Sequence, residues 1–113
     1  MHSERLIQYI QIALAEADNL VQSSSSYKEG QEPIKSTKKV LCLLMEAVQN
    51  DANSIALRIL RAMHDIGMSS YKDFENTPLE DALINVTTIL YNDIPEYKNL
   101  QPLRMDFGKG NPI

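Results

Sequence analysis

Apolar residues recur every three or four positions along four stretches of this 113-residue chain, a spacing typical of helices. The first stretch spans residues 4–22, and Ser3 stands where an N-cap is needed. Serines occupy positions 23–26, and serine side chains compete with a helix for backbone hydrogen bonds. The pattern therefore predicts a helix over 4–22. Its buried stripe is expected to comprise Leu6, Ile10, Ala13, Leu14, Ala17, Leu20 and Val21.

The second predicted helix, over residues 36–50, is the most apolar of the four. Cys42, Leu43 and Met45 lie beside its main apolar face, so apolar residues cover most of its circumference. A helix with that pattern is expected at the centre of a bundle. We therefore predict that this helix is the most buried element, with Cys42 as a small buried hydrophobic residue.

The third predicted helix covers residues 54–66. Either Asp51 or Asn53 is placed to cap its first turn, because their side-chain oxygens can accept hydrogen bonds from free backbone amides. Gly67 follows directly, and glycine commonly supplies the left-handed residue that ends a helix. The sequence therefore predicts that the helix stops at residue 66.

The fourth predicted helix has the clearest start in the chain. Thr77 and Glu80 have the spacing of a capping box, and Pro78 occupies the first helical position, where proline is favoured. Pro95 cannot continue a helix, so the element is expected to end near residue 92. The predicted span is 78–92.

These elements predict an all-α fold, a compact bundle of four main helices with a short C-terminal helical turn at 95–99. The length suits a single domain over 1–113. Residues 23–35 are rich in serine and charge and are predicted to form a flexible surface loop. Residues 101–113 contain two prolines and two glycines and are predicted to form an irregular tail.

The composition favours a cytoplasmic protein. A single cysteine excludes an intramolecular disulfide, which suits a reducing compartment. Glu4, Gln8 and Gln11 interrupt the N-terminal apolar stretch, unlike the apolar segment of a secretory signal. No apolar run approaches the roughly 20 residues that span a bilayer, so we expect no membrane association.

Side chains suited to catalysis or metal binding are sparse. The histidines are His2, at the terminus, and His64, in the last predicted turn of the third helix, where an imidazole can interact with free carbonyls. No other ligand stands at metal-binding spacing from His64. The adjacent Glu80 and Asp81 suit the positive start of the fourth helix better than acid–base chemistry. We therefore predict no catalytic residue, no metal, no cofactor and no enzymatic activity.

The net charge of −4 is unevenly distributed. Residues 73–97 contain six acids and no lysine or arginine, and four of the seven aromatic residues lie in or beside that window. Such a charge repels nucleic acid and attracts basic proteins, and aromatic side chains are common anchors in interfaces. The predicted partner-binding residues are Tyr71, Asp73, Phe74, Glu75, Glu80, Asp81, Asp93, Glu96 and Tyr97. The alternative is that the aromatic residues belong to the core and the acids form a solvated face.

The second half of the chain resembles a family of small bacterial immunity proteins. The resemblance lies in residues 60–68 (LRAMHDIGM), residues 71–74 (YKDF) and residues 79–95. Proteins of this family accompany polymorphic toxins, including those of contact-dependent growth inhibition systems. The resemblance implies that the chain binds and neutralises a cognate toxin domain in the cytoplasm of the producing cell.

The resemblance also suggests the chemistry of the partner. Many of these toxins are nucleases, with RNA- or tRNA-cleaving enzymes favoured, and nucleases are often basic because they bind phosphate. The inhibitor could occupy the active site or cover an adjacent surface, and both alternatives stay open. A different class of function is a helical scaffold or regulatory subunit that forms a homodimer through the apolar second helix.

Overall fold

The computed structural model describes residues 3–100, which form five helices with no strand among them. The predicted all-α fold with four main helices and a short fifth one is confirmed. The predicted tail at 101–113 lies outside the described residues. The helices are α1 (Ser3–Ser23), α2 (Ile34–Asp51), α3 (Leu57–Asp73), α4 (Pro78–Asp93) and α5 (Pro95–Lys98).

Helix α4 is the most buried element of the bundle. It packs against α1, α3 and α5, whereas α2 packs against α1 and α3. The apolar positions of α4 face inward at the spacing expected for a core helix, which agrees with the sequence pattern. Its buried residues are Leu79, Ala82, Leu83, Val86, Ile89 and Leu90.

The prediction that α2 is the central element is wrong. Cys42 is exposed, and Leu43 and Met45 are only partly buried. The reason is that α2 lies at one side of the bundle and makes its contacts through the face that contains Leu41 and Leu44. The apolar residues beside that face therefore stay partly accessible to solvent.

Helix α3 continues through Gly67 and ends at Asp73, so the predicted end at residue 66 is also wrong. A Cβ atom at Gly67 would lie 2.8 Å from Thr87 Cγ2, closer than such atoms normally approach. Gly67 thus permits the close approach of α3 and α4 inside a continuous helix. The start of α3 also differs from the prediction. Its N-cap is Ala56, not Asp51 or Asn53, and Ala56 forms no side-chain capping hydrogen bond.

The start of α4 agrees with the predicted capping residues, with one difference in geometry. Glu80 N donates to Thr77 Oγ1 at 3.3 Å, as a capping box requires. In a capping box, Glu80 Oε1 would accept from the backbone amide of Thr77. Here it accepts from Asn76 N at 3.1 Å instead, and Thr77 N donates to the carbonyl of Phe74 at 3.1 Å. Asn76 has a φ of 62°, in the left-handed region that asparagine tolerates better than most residues. Both Thr77 and Glu80 therefore stabilise the turn between α3 and α4.

The connection between α1 and α2 is held at two points. Tyr27 Oη donates to the carbonyl of Asp73 at 2.7 Å, and its ring lies 5.8 Å from that of Phe74. Lys38 Nζ lies 2.6 Å from Asp18 Oδ1 and 3.0 Å from Glu29 Oε2. The serine-rich segment is thus attached to the end of α3 and to α2.

Within residues 3–100, none of the helices combines the length and the apolar character needed to cross a bilayer.

Candidate protein-binding surface

The six acids of the 73–97 window lie at opposite ends of α4. This helix has 16 residues and is therefore about 24 Å long at 1.5 Å per residue. The fold separates the acids into two groups and does not form the single acidic face that the linear sequence suggests. The N-terminal acidic group comprises Asp73, Glu75, Glu80 and Asp81, and the C-terminal acidic group comprises Asp93 and Glu96.

None of these carboxylates forms an ion pair with a lysine or arginine of the described part of the chain. Among residues 3–100, the side-chain ion pairs are those of Lys38 with Asp18 and with Glu29, both outside the window. Of the N-terminal acidic group, Asp73 and Glu80 are partly buried, and the other acids are exposed. Both groups therefore present negative charge to solvent.

Phe74 and Tyr97, two of the predicted partner-binding residues, lie in the core. Each is 1% exposed, so neither ring can contact a partner that docks on the folded surface. Phe74 packs against Tyr27, and Tyr97 forms an edge-to-face contact with His64 at 5.6 Å between ring centroids. The prediction is corrected at these two positions, where the alternative of core aromatic residues applies.

Burial also changes the acidity of Tyr97. Removal from water raises the pKa of its hydroxyl far above the ordinary value of 10.0, and the negative charge of Asp65 raises it further. The hydroxyl therefore stays protonated over the physiological range. Tyr97 is a neutral core residue that fixes the short helix α5 against α3.

His64 also differs from its predicted position. It lies in the interior of α3 and is 3% exposed, because the helix continues beyond Gly67. It is thus not close to the carbonyls at the helix end, and the predicted helix-end role is wrong.

Tyr71 is the most exposed large hydrophobic side chain among the described residues, at 63%. Met68, one turn earlier on α3, is 37% exposed, and both line a shallow depression of about 250 Å³ with Asp65, Ser69 and Lys72. Tyr71 lies just before the N-terminal acidic group in the chain. Met68 is not among the predicted partner-binding residues, because the position of a methionine on an amphipathic helix does not by itself separate a core residue from an exposed one.

Tyr91 is the second exposed aromatic residue of the region, at 39%. The ammonium group of Lys98 lies 5.6 Å from the centre of its ring, a distance typical of a cation–π contact. The ring face of Tyr91 is thus partly occupied by a neighbour in the same chain, whereas no such contact involves Tyr71 within the described residues.

An open groove of about 600 Å³ lies beside the C-terminal acidic group. The α2–α3 loop and the α4–α5 turn form its walls, and both Asp93 and Glu96 line it. Among residues 3–100, no three His, Cys, Asp or Glu side chains are close enough to share a metal ion. The groove thus combines two carboxylates with apolar and backbone surface.

Comparison of the chain with known protein families, with curated proteins and with solved structures gives no match.

Proposed function

We propose that this protein is an inhibitory binding protein that neutralises a cognate basic toxin, with an RNA- or tRNA-cleaving nuclease favoured. The observation that carries this proposal is the set of six acids at the two ends of α4, with no compensating ion pair within the described residues. Exposed negative charge accelerates encounter with a partner of opposite sign. The resemblance of the second half of the chain to immunity proteins supports the same proposal.

The exposed ring of Tyr71 supports a protein partner in particular. A tyrosine that is 63% exposed can bury a large apolar area on binding, and tyrosine is enriched among residues that dominate binding energy. Met68 beside it can adapt its shape to a partner surface. The N-terminal acidic group then supplies long-range attraction, and Tyr71 supplies short-range affinity.

The first experiment is an inhibition titration. Each basic nuclease domain encoded beside the gene for this protein is a candidate partner, and its activity is assayed while the protein is added at low and at high salt. We expect stoichiometric inhibition that weakens at high salt, because salt screens the attraction between the two surfaces. A lack of both inhibition and binding at either salt concentration would contradict the proposal.

A variant separates the role of Tyr71 from general effects of truncation. Tyr71→Ala should weaken inhibition by about 2 kcal/mol of binding free energy, a magnitude common for interface anchors. Ile12→Ala is the matched control, because Ile12 is a similarly exposed hydrophobic residue, at 44%, on α1. Equal losses in the two variants would argue against an anchor at Tyr71.

Self-association through α2 is the alternative function that the sequence suggests. None of the large hydrophobic residues of α2 is exposed, and Val40, Leu43 and Met45 pack partly against the core. The feature that motivated a homodimer is thus largely covered by the fold of one chain. Sedimentation equilibrium at high concentration tests this alternative directly.

A further inference from the structure

We propose that the groove between the α2–α3 loop and the α4–α5 turn receives a lysine or arginine side chain from an extended segment of the partner protein. This inference rests on the proposed function, which supplies a basic partner, and it assigns a specific subsite to the C-terminal acidic group. The groove has a volume of about 600 Å³, within the range of ligand-binding clefts in proteins.

The charges that line the groove favour a cation. Of the nine residues that form its walls, Asp93 and Glu96 are acidic and none is basic. The helices α2 and α4 both end beside it, at Asp51 and Asp93, so the partial negative charge of two helix ends adds to the two carboxylates. The start of α3 contributes about half a positive charge, which is smaller than the sum of the negative contributions.

The start of α3 offers hydrogen-bond donors that suit a peptide backbone. Ile59 N and Leu60 N both donate to the carbonyl of Ala56, but the amides of Leu57 and Arg58 have no acceptor among the described residues. Ala56 lines the groove. A carbonyl of an extended segment can therefore accept from this uncapped helix turn while the basic side chain of that segment lies near Asp93 and Glu96.

The apolar part of the groove suits the stem of a long basic side chain. Ile55, Ile94 and Pro95 provide apolar wall surface. Lysine and arginine pack their methylene groups on such surfaces and keep the charged group beside polar partners. A compact cation lacks that stem, and the described residues provide too few carboxylates here to hold a metal ion.

The test uses the full chain, labelled with ¹⁵N, and a capped tripeptide, acetyl-Gly-Arg-Gly-amide, followed by NMR titration. We expect saturable shifts of the backbone amides at 52–57 and around Glu96 and Tyr97. Acetyl-Gly-norleucine-Gly-amide has no charge and should give no saturable shifts. In the Asp93→Asn, Glu96→Gln double variant, binding of the arginine peptide should be roughly tenfold weaker, because a charged hydrogen bond is lost.

A second double variant gives the matched control. Asp73→Asn with Glu75→Gln removes two acids at the other end of α4 and should leave the shifts unchanged. An unchanged affinity for the arginine peptide in the Asp93→Asn, Glu96→Gln variant, or an equal loss of affinity in both double variants, would overturn the groove proposal. Peptide binding without toxin inhibition would contradict the proposed function alone, and inhibition without peptide binding would contradict the groove alone.

Discussion

Gly67 lies inside α3, opposite Thr87 of α4. This position accounts for the largest error in the predicted helix bounds, which is the end of α3. The sequence shows a glycine after an apolar stripe, which commonly marks a helix end. The structure uses the missing Cβ for close packing, because an added Cβ would lie 2.8 Å from Thr87 Cγ2. Whether the glycine ends a helix or packs inside one depends here on Thr87, twenty positions away, which the local sequence pattern around Gly67 does not include.

Gly67→Ala is therefore expected to destabilise the protein by about 1 kcal/mol. Overpacking costs about 1–3 kcal/mol, and the higher helix propensity of alanine offsets about 1 kcal/mol of that cost. The free energy of unfolding from urea denaturation measures the net effect.

The control uses Thr87→Ser, which removes Cγ2 and keeps the hydroxyl that donates to the carbonyl of Ile84 at 3.0 Å. In that background, Gly67→Ala should be neutral or stabilising. A destabilisation of equal size in both backgrounds would contradict the packing explanation.

Lys38 is the second residue whose environment leads to a prediction. The hydrogen bonds that its ammonium group donates to Asp18 and then to Glu29 raise the pKa of Lys38 above the ordinary value of 10.5. A raised pKa in the folded state means that this stabilisation is complete below pH 10.5 and is lost as pH rises through the folded-state pKa. Lys38→Met should lower the free energy of unfolding by about 0.5–1 kcal/mol at neutral pH, since the partners are exposed.

The measurement is urea denaturation of the variant and the original protein from pH 8 to pH 12. The difference between them should shrink at the alkaline end. Lys39→Met is the control, because Lys39 is exposed and forms no ion pair within residues 3–100. A difference that stays constant with pH would show that packing, and not charge, explains the effect of Lys38.

At the scale of elements, the hydrophobic pattern predicted the existence of every main helix. The predicted starts of α1 and α4 agree with the structure within a residue. At α4 the capping threonine marks the start, whereas at α1 Ser3, the predicted N-cap, is the first residue of the helix. The start of α3 was misplaced because it has no capping side chain, and its N-cap is Ala56. The relative burial of α2 and α4 could not be predicted, because it depends on which helices pack together and not on the apolar content of either.

The α1–α2 connection shows how one aromatic residue organises a polar segment. Tyr27→Phe removes only the hydrogen bond to Asp73, and Tyr27→Ala removes the ring contact with Phe74 as well. We expect tryptic cleavage after Lys28 under native conditions to be slowest in the original protein, faster in Tyr27→Phe and fastest in Tyr27→Ala, because local opening exposes the bond. Equal cleavage rates in all three proteins, or the same increase in Tyr9→Ala, would contradict this role of Tyr27.

At the scale of the whole molecule, the sequence predicted the charge of the surface but not its arrangement. The acids are contiguous in the chain, but α4 carries Asp81 and Asp93 to opposite ends of the bundle. Exposure of the aromatic residues was not predictable either, since Tyr71 and Tyr97 have the same chemistry and opposite burial. The burial of Tyr97 is set by the contacts of α5 with α3 and α4, which no local sequence pattern specifies.

This arrangement leads to a kinetic prediction for the proposed toxin complex. Reversing Asp73 and Glu75 to lysine, or Asp93 and Glu96 to lysine, should lower the association rate in either case, because long-range attraction sums over the whole surface. The dissociation rate should rise mainly for the pair in direct contact with the partner. The two acidic groups lie at opposite ends of a helix about 24 Å long, and exposed charges separated by more than about 8 Å are largely screened from each other at physiological salt. Surface plasmon resonance at several salt concentrations measures both rates. An association rate that is unchanged in both variants would exclude electrostatic attraction through these groups.

Cys42 gives the molecule one further property. It is the single cysteine of the chain, and its side chain is exposed on α2, which packs mainly against α1 and α3. Oxidation can therefore join two copies through one intermolecular disulfide, which would resemble a homodimer in any experiment without a reductant. The same thiol permits attachment of one fluorophore per chain at a residue outside the predicted partner-binding set. Partner binding can then be followed by fluorescence, with Cys42→Ser as the unlabelled reference.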